Sequence, residues 1–192
     1  RARVAEALPE VLVPEWPRDK MLYTQALLEL RCFDTVSVSM EDRSRAEMYR
    51  IEQRREQEKK NVGSIEEWLA GLNMQVKIER LNSGNIKRTA QLFNKTNQMN
   101  LSTRRLSQDE LWKWAHDENH RLWTFRVSDR FGDSGLTGIV SMSVENGCGR
   151  VEDFILSCRV MGRRIEEVLL STVVEEARSL GLRRVTLEHL PT

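Results

Sequence analysis

The stretch Phe154-Ile-Leu-Ser-Cys-Arg-Val-Met-Gly-Arg-Arg-Ile-Glu166 decides how the rest of the chain is read. Its apolar start reads as the end of a buried strand. Ser157-Cys158-Arg159 and Gly162 then form a turn, and an amphipathic helix follows at once, over about 163–179, stopping at Gly181. The first turn of a helix leaves backbone N–H groups unpaired at the positive end of its dipole, so this start suits a phosphate or pyrophosphate oxygen. Glycine at position 162 fits that reading, because close approach of backbone to a phosphate excludes a side chain. Cys158 sets a thiol beside the helix start and next to Arg159, a setting that favours the nucleophilic thiolate. Free cysteine is equally a small buried packing residue, and an ordinary strand-to-helix turn has the same spacing. The residues alone leave both readings open.

Bulk properties narrow the classes. A chain of 192 residues holds one medium domain, or a small domain with an attached fragment. Its 30 Lys and Arg balance 29 Asp and Glu, and the signs alternate along the chain, so no basic face exists for nucleic acid. Cys32, Cys148 and Cys158 form no close pair and leave one over, which points to a reducing, cytoplasmic compartment rather than a disulfide framework or zinc site. His116, His120 and His189 share no metal-ligand spacing, and no metal site is expected. No apolar run approaches the roughly 20 residues of a membrane span, so no membrane partner is expected. The abrupt start at Arg1-Ala-Arg-Val4 and stop at Leu190-Pro-Thr192 read as those of a piece of a longer protein.

Along the chain, 1–8 reads as the end of a helix and 11–13 as a short strand, with Pro14 and Pro17 forcing an extended exit. Residues 20–31 read as a helix with Met21, Ala26, Leu27, Leu28 and Leu30 available for a buried stripe. From Ser39 to Lys60 charges of both signs alternate, with Glu41/Arg45 and Glu56/Lys60 at i,i+4, which predicts a long solvated connecting helix. Ser64-Ile-Glu-Glu67 caps a short helix ending near Leu72. A new domain then begins, with a strand over 74–80, a helix over 85–96 and a helix capped by Ser107-Gln-Asp-Glu110. Strands over 121–128 and 136–145 and an Asn146-Gly147 hairpin into the strand ending at Leu156 follow, then the Gly162 helix and a strand over 184–190. The fold class is therefore α+β, around a central, mostly antiparallel sheet. The expected layout is a remnant over 1–38, a charged linker with a short helix over 39–72, and the sheet domain over 73–192.

The order βααβββαβ is that of a GNAT-type acyltransferase. Arg159-x-x-Gly162-x-Arg164 resembles the Arg/Gln-x-x-Gly-x-Gly/Ala motif with which that superfamily holds a phosphopantetheine arm, departing from it at Arg164. Elsewhere, Thr96-Asn-Gln-Met-Asn-Leu-Ser-Thr-Arg-Arg105 gathers amides, hydroxyls and two arginines between helices, where they suit either a polar substrate or turn and capping chemistry. Asp129-Arg-Phe-Gly-Asp-Ser-Gly135 reads as a polar hairpin turn, with a substrate-facing role as the alternative. Of the histidines, only His189, near a strand end, could approach the Cys158 turn. Trp112, Trp114 and Trp123 read as core and rim.

Four blocks in this order resemble the FkbH-like family of the haloacid dehalogenase (HAD) superfamily, subfamily IIIC. They are Thr96-Asn97-Gln98 with Asn100-Leu101 and Thr103-Arg104-Arg105; Asp129-Arg130-Phe131-Gly132-Asp133 with Gly135-Leu136; Leu156-Ser-Cys-Arg-Val160 with Gly162-Arg163; and Glu188 with Pro191-Thr192. Arg31-Cys32-Phe33-Asp34 and Met48-Tyr49-Arg50 extend the similarity upstream. The resemblance implies an enzyme that takes the glyceryl group of 1,3-bisphosphoglycerate, an acyl phosphate, and places it on the phosphopantetheine of an acyl carrier protein for polyketide biosynthesis. It implies that residues 1–17 are the tail of a HAD domain whose phosphatase residues and magnesium lie outside this chain, since no Asp-x-Asp motif occurs here. It implies a GNAT-like domain with Cys158 and His189 as catalytic candidates, His189 standing where the family often has Tyr. Arg159, Gly162, Arg163 and Arg164 are then expected at the phosphopantetheine or coenzyme A, and Asn97, Asn100, Thr103, Arg104, Arg105, Asp129 and Asp133 around the acyl group. Transfer from acyl-coenzyme A to an amine and non-catalytic docking of the carrier protein remain as alternatives.

Overall fold

The computed structural model describes residues 2–7, 11–30, 40–95, 99–101 and 104–188. The chain forms two compact units, 1–46 and 47–192.

In the first unit, helix α1 spans Ala2–Ala7 and helix α2 spans Tyr23–Glu29. Asp19 caps the single 3-10 turn that leads into α2, accepting from the N–H of Met21 at 2.9 Å. Two expectations fail here. Residues 11–17 form no strand, and the proposed apolar stripe is not buried: Met21 is 87% and Leu28 79% exposed. A two-turn helix has one short face, and among the described residues of this unit no apolar layer covers it.

Helix α3, Met40–Asn61, begins in the first unit and ends in the second, so the unit boundary lies inside the segment expected as a linker. Its charged pattern does give a mostly exposed surface over 47–61. Arg55 is the exception, 4% exposed. Helix α4, Ile65–Gly71, starts at Ser64, whose hydroxyl accepts from the N–H of Glu67, and it buries Trp68.

The rest of the second unit is a five-stranded sheet in the order β1-β2-β3-β4-β5, with strands Gln75–Arg80, His120–Asp129, Gly132–Glu145, Cys148–Leu156 and Arg184–Leu187. The first three pairings are antiparallel, and β4 and β5 run parallel. Helices α5 (Ile86–Lys95) and α6 (Gln108–Ala115) connect β1 to β2, and α7 (Ile165–Ser179) connects β4 to β5. The observed order is the predicted βααβββαβ.

Both faces of the sheet are covered, so residues 136–143 of β3 are buried without a break, polar Thr137, Ser141 and Ser143 included. Against one face α7 packs Ile165, Leu169 and Val173 onto Phe125, Val140, Met142, Phe154 and Leu156. Against the other, α5 and α6 bring Leu92, Phe93 and Leu111 onto Leu122, Ile139 and Ile155. Gly138 sets how closely α7 approaches: a Cβ there would lie 3.3 Å from Leu169 Cδ1 and 3.2 Å from Phe125 Cβ. The outer edge of β4 is shared. Residues 148–151 pair with β5, whereas at 154–156 the segment 99–101 takes that edge, with N–H of Leu101 donating to Phe154 O and N–H of Leu156 to Met99 O. The connection between α5 and α6 is thereby brought beside the end of β4.

Candidate functional site

Beyond Leu156 the chain leaves the sheet in two steps. Ser157 donates its N–H to Thr137 O at 2.8 Å and caps a one-turn 3-10 helix, Cys158–Val160: its hydroxyl accepts from Arg159 N–H, Val160 N–H donates to Ser157 O, and Met161 N–H beyond donates to Cys158 O. The chain then reverses into α7 through Gly162 (φ 72°) and Arg164 (φ 58°, ψ 24°), both left-handed. Glycine adopts that conformation freely and arginine does not. Arg164 is the N-cap of α7 and supplies no side-chain cap. Among the described residues no acceptor takes the N–H groups of Gly162, Arg163, Arg164, Ile165 or Glu166; the first amide of this region with a partner is that of Glu167, on Arg164 O. Five successive amides without a well-aligned acceptor, at the positive end of a fifteen-residue helix, are an arrangement that suits an anion. The space above Gly162 is open, with nothing within 4 Å of where a Cβ would sit.

Two arginines flank this turn. Arg159 is half-exposed and has no ion-pair partner among the described residues. Arg164 is exposed and leans on Glu66 of α4 at 3.0 Å. Cys158 is exposed as well, which sets aside the buried packing role, although it opens the 3-10 turn and not α7 itself.

On the opposite face, beside the shared edge of β4, Asp153 is a fully buried carboxylate. Arg104 Nε donates to its Oδ1 at 2.9 Å, Arg104 Nη2 and the Ser141 hydroxyl donate to its Oδ2, and the Arg104 guanidinium lies 5.0 Å over the Trp114 ring. Burial alone would lower the pKa of Arg104, but the bond and charge of Asp153, with Glu152 beyond, raise it above the usual value. A bulge in β4 makes this face unusually acidic. Ser141 opposes Asp153 and Met142 opposes Val151, so Glu152 is an extra residue, and it hydrogen-bonds Ser143 two residues from Ser141. Two consecutive carboxylates therefore share one face, which regular alternation forbids. Sequence reasoning misses Asp153 and Ser141; the available signal is the Glu152-Asp153 pair directly before the apolar Phe154-Ile155-Leu156.

The structure thus brings Asn100 and Arg104 to the end of β4, and Cys158, Arg159, Gly162 and Arg164 to the turn that follows it. Asn100 is buried, opposite Ile155. Arg105 is exposed and donates to Phe93 O, which ties its loop to α5. Arg163, expected at the cofactor, is 2% exposed and turned inward onto Asp129 and Glu52. Asp129, expected at the substrate, is buried under two guanidinium groups, because a hairpin end packed against a helix start has no water to solvate it. Burial pushes its carboxyl up, but hydrogen bonds from Arg55 and the N–H of Phe131, with the charges of Arg55 and Arg163, hold it below the usual range. Arg163 is depressed by burial and then by neighbouring Arg55. Asp133, half-exposed, accepts from Gly135 N–H at 2.7 Å and from Arg126 at 3.1 Å, across the hairpin. Asn97, Thr103 and His189 lie outside the described residues. Among the described residues no group of three His, Cys, Asp or Glu could hold a metal ion, and no helix is long and apolar enough to cross a membrane.

No protein-family model and no curated protein matches the chain. Solved structures are similar to part of it. An acetyltransferase of Trypanosoma brucei is 17% identical over 60% of this chain and 84% of that one, with a TM-score of 0.47. The ribosomal-protein-alanine N-acetyltransferase of Brucella melitensis is 17% identical over 62% of this chain and 82% of that one, with a TM-score of 0.49. N-acetylglutamate synthase of Neisseria gonorrhoeae, solved with coenzyme A and N-acetyl-glutamate, is 21% identical over 60% of this chain and 25% of that one, with a TM-score of 0.48.

Proposed function

We propose that residues 47–192 form an acyl-transfer domain in which the turn between β4 and α7 holds the phosphate of a phosphopantetheine arm. The observation that carries this reading is the run of five amides, 162–166, without an acceptor among the described residues at the start of α7. The residues present fit the group. The space over Gly162 is open to an approaching oxygen, and Arg159 and Arg164 add positive charge on either side. Such an arm supplies the thiol that carries an acyl group. The chain's own part is to fix the phosphate through the amides, and to orient the acyl group with Asn100 and Arg104 at the end of β4. In the finer reading, supported by the FkbH-like resemblance, the acyl group is glyceryl, its source is an acyl phosphate and the arm belongs to an acyl carrier protein. The Cys158 thiolate then attacks the acyl carbonyl, forming a thioester as the acyl–phosphate C–O bond breaks and phosphate leaves, and the thiol of the arm takes the glyceryl group from it with release of the Cys158 thiolate.

The test is a titration of the whole chain, followed by amide chemical shifts, with coenzyme A, holo-acyl carrier protein and apo-acyl carrier protein. Residues 162–166 are expected to shift with the first two only. No shift there with either ligand ends the proposal. Coenzyme A binding with no response to the holo-carrier would leave acyl transfer from coenzyme A. For Cys158, undiminished glyceryl transfer by a folded Cys158→Ser variant of an active full-length enzyme removes it as the acyl acceptor.

A further inference from the structure

Beneath the 161–164 turn four charged side chains from three elements meet. Glu52 and Arg55 come from α3, Asp129 from the end of β2, and Arg163 from the turn itself. Arg55 bonds Asp129 through both Nε (2.7 Å) and Nη2 (2.9 Å), and Arg163 Nη1 reaches the same carboxylate at 3.3 Å. Glu52 Oε2 closes the ring, 2.8 Å from Arg163 Nη2 and 3.0 Å from Arg55 Nη1. Each carboxylate thus bridges both guanidinium groups. Asp129 also takes the N–H groups of Phe131 and Gly132, at 2.9 and 3.2 Å.

Burying such a cluster is a poor way to add stability, since taking charges out of water offsets most of their attraction, and well-packed apolar residues would serve as well. What fork-shaped guanidinium groups add is fixed geometry. The place where geometry is demanding lies on either side of Arg163. Gly162 and Arg164 are both left-handed, and for Arg164 that conformation is disfavoured unless something holds it. With the Arg163 side chain drawn inward between them, the turn cannot relax without pulling a guanidinium from two carboxylates.

Resting on the function proposed above, we infer that Glu52, Arg55, Asp129 and Arg163 are positioning residues that clamp the 161–164 turn in the shape that presents its amides to an anion. The end of α3 is then part of the site's machinery and not a spacer. None of the four touches the ligand.

The experiment compares the whole chain with its Glu52→Gln and Arg163→Lys variants, with Lys77→Gln, at an exposed surface pair, as control. Glu52 is half-exposed, so its variant keeps the question answerable even where Arg163→Lys does not fold. Two readouts are taken at a temperature where circular dichroism shows full folding. Without ligand, the Cα and Cβ shifts of Arg164 report its left-handed backbone, and both clamp variants are expected to move them toward right-handed values. With coenzyme A as the probe, the dissociation constant is expected to rise about tenfold, within the usual range of coupling between sites. Variants that lose only melting temperature, with the Arg164 shifts and the affinity unchanged, overturn the inference. If coenzyme A fails to bind the unaltered protein, the ligand reading falls, and the Arg164 shifts still decide whether the clamp exists.

Discussion

Asp129 loses its water on folding and takes in exchange two guanidinium groups and two backbone N–H groups. Its carboxyl is held below the usual range, so the folded state favours the ionised form. The sign follows: the contribution is complete above the unfolded value, about 3.9, and is lost as pH falls through the depressed folded value. Asp129→Asn leaves Arg55 and Arg163 sharing Glu52 alone, and should cost about 3–5 kcal/mol at neutral pH, as breaking a buried pair does. Urea unfolding of both proteins across acid pH checks this. The gap should narrow as pH falls, and parallel curves would refute the assignment. Such a residue was half legible in sequence. The hairpin-turn reading of 129–135 stands, but its partners Glu52 and Arg55 lie on a helix whose charges look solvated, and nothing in one sequence marks the two that turn inward. Arg163 misled for the same reason: an arginine beside a phosphate-type turn reads as a ligand group until its side chain is seen buried.

Elements were easier to read than residues because their signals are local. Ser107 accepts from the N–H of Glu110, and the Glu110 carboxylate accepts from the N–H of Ser107, which is the reciprocal cap its spacing predicted. Ser107→Ala should therefore cost about 1 kcal/mol, read as a lower urea midpoint with an unchanged slope; no loss would mean that α6 is held by Leu111 and its packing alone. The Asn146-Gly147 hairpin, the helix end at Gly181 and the strand-to-helix passage around Gly162 were legible on the same grounds, each needing only neighbours in sequence. What failed depended on something distant. Among the described residues, no strand pairs with 11–13 despite their strand-like composition, and no layer covers the apolar face of α2. The bulge at Glu152, which sets Asp153 on the α5 and α6 face, is a property of pairing with β3 and leaves no mark in β4 alone.

At the scale of the molecule the boundary inside α3 was the least legible feature, because the helix is continuous in pattern while only its second half contributes Arg55 to the sheet unit. The sheet holds a further consequence, in the order of events during folding. Strands β2, β3 and β4 are joined by tight hairpins, whereas β1 is separated from its partner by two helices and β5 from its partner by one. Loop closure makes the central meander cheap to form and its margins late. Pulse-labelled hydrogen exchange should protect residues 122–127 and 138–142 before 184–187, and simultaneous protection would rule this order out. The turn that begins at Ser157 lies on the seam between the early strands and the α7–β5 margin, so a chain with its meander already closed but α7 undocked still lacks the turn proposed to hold a phosphate.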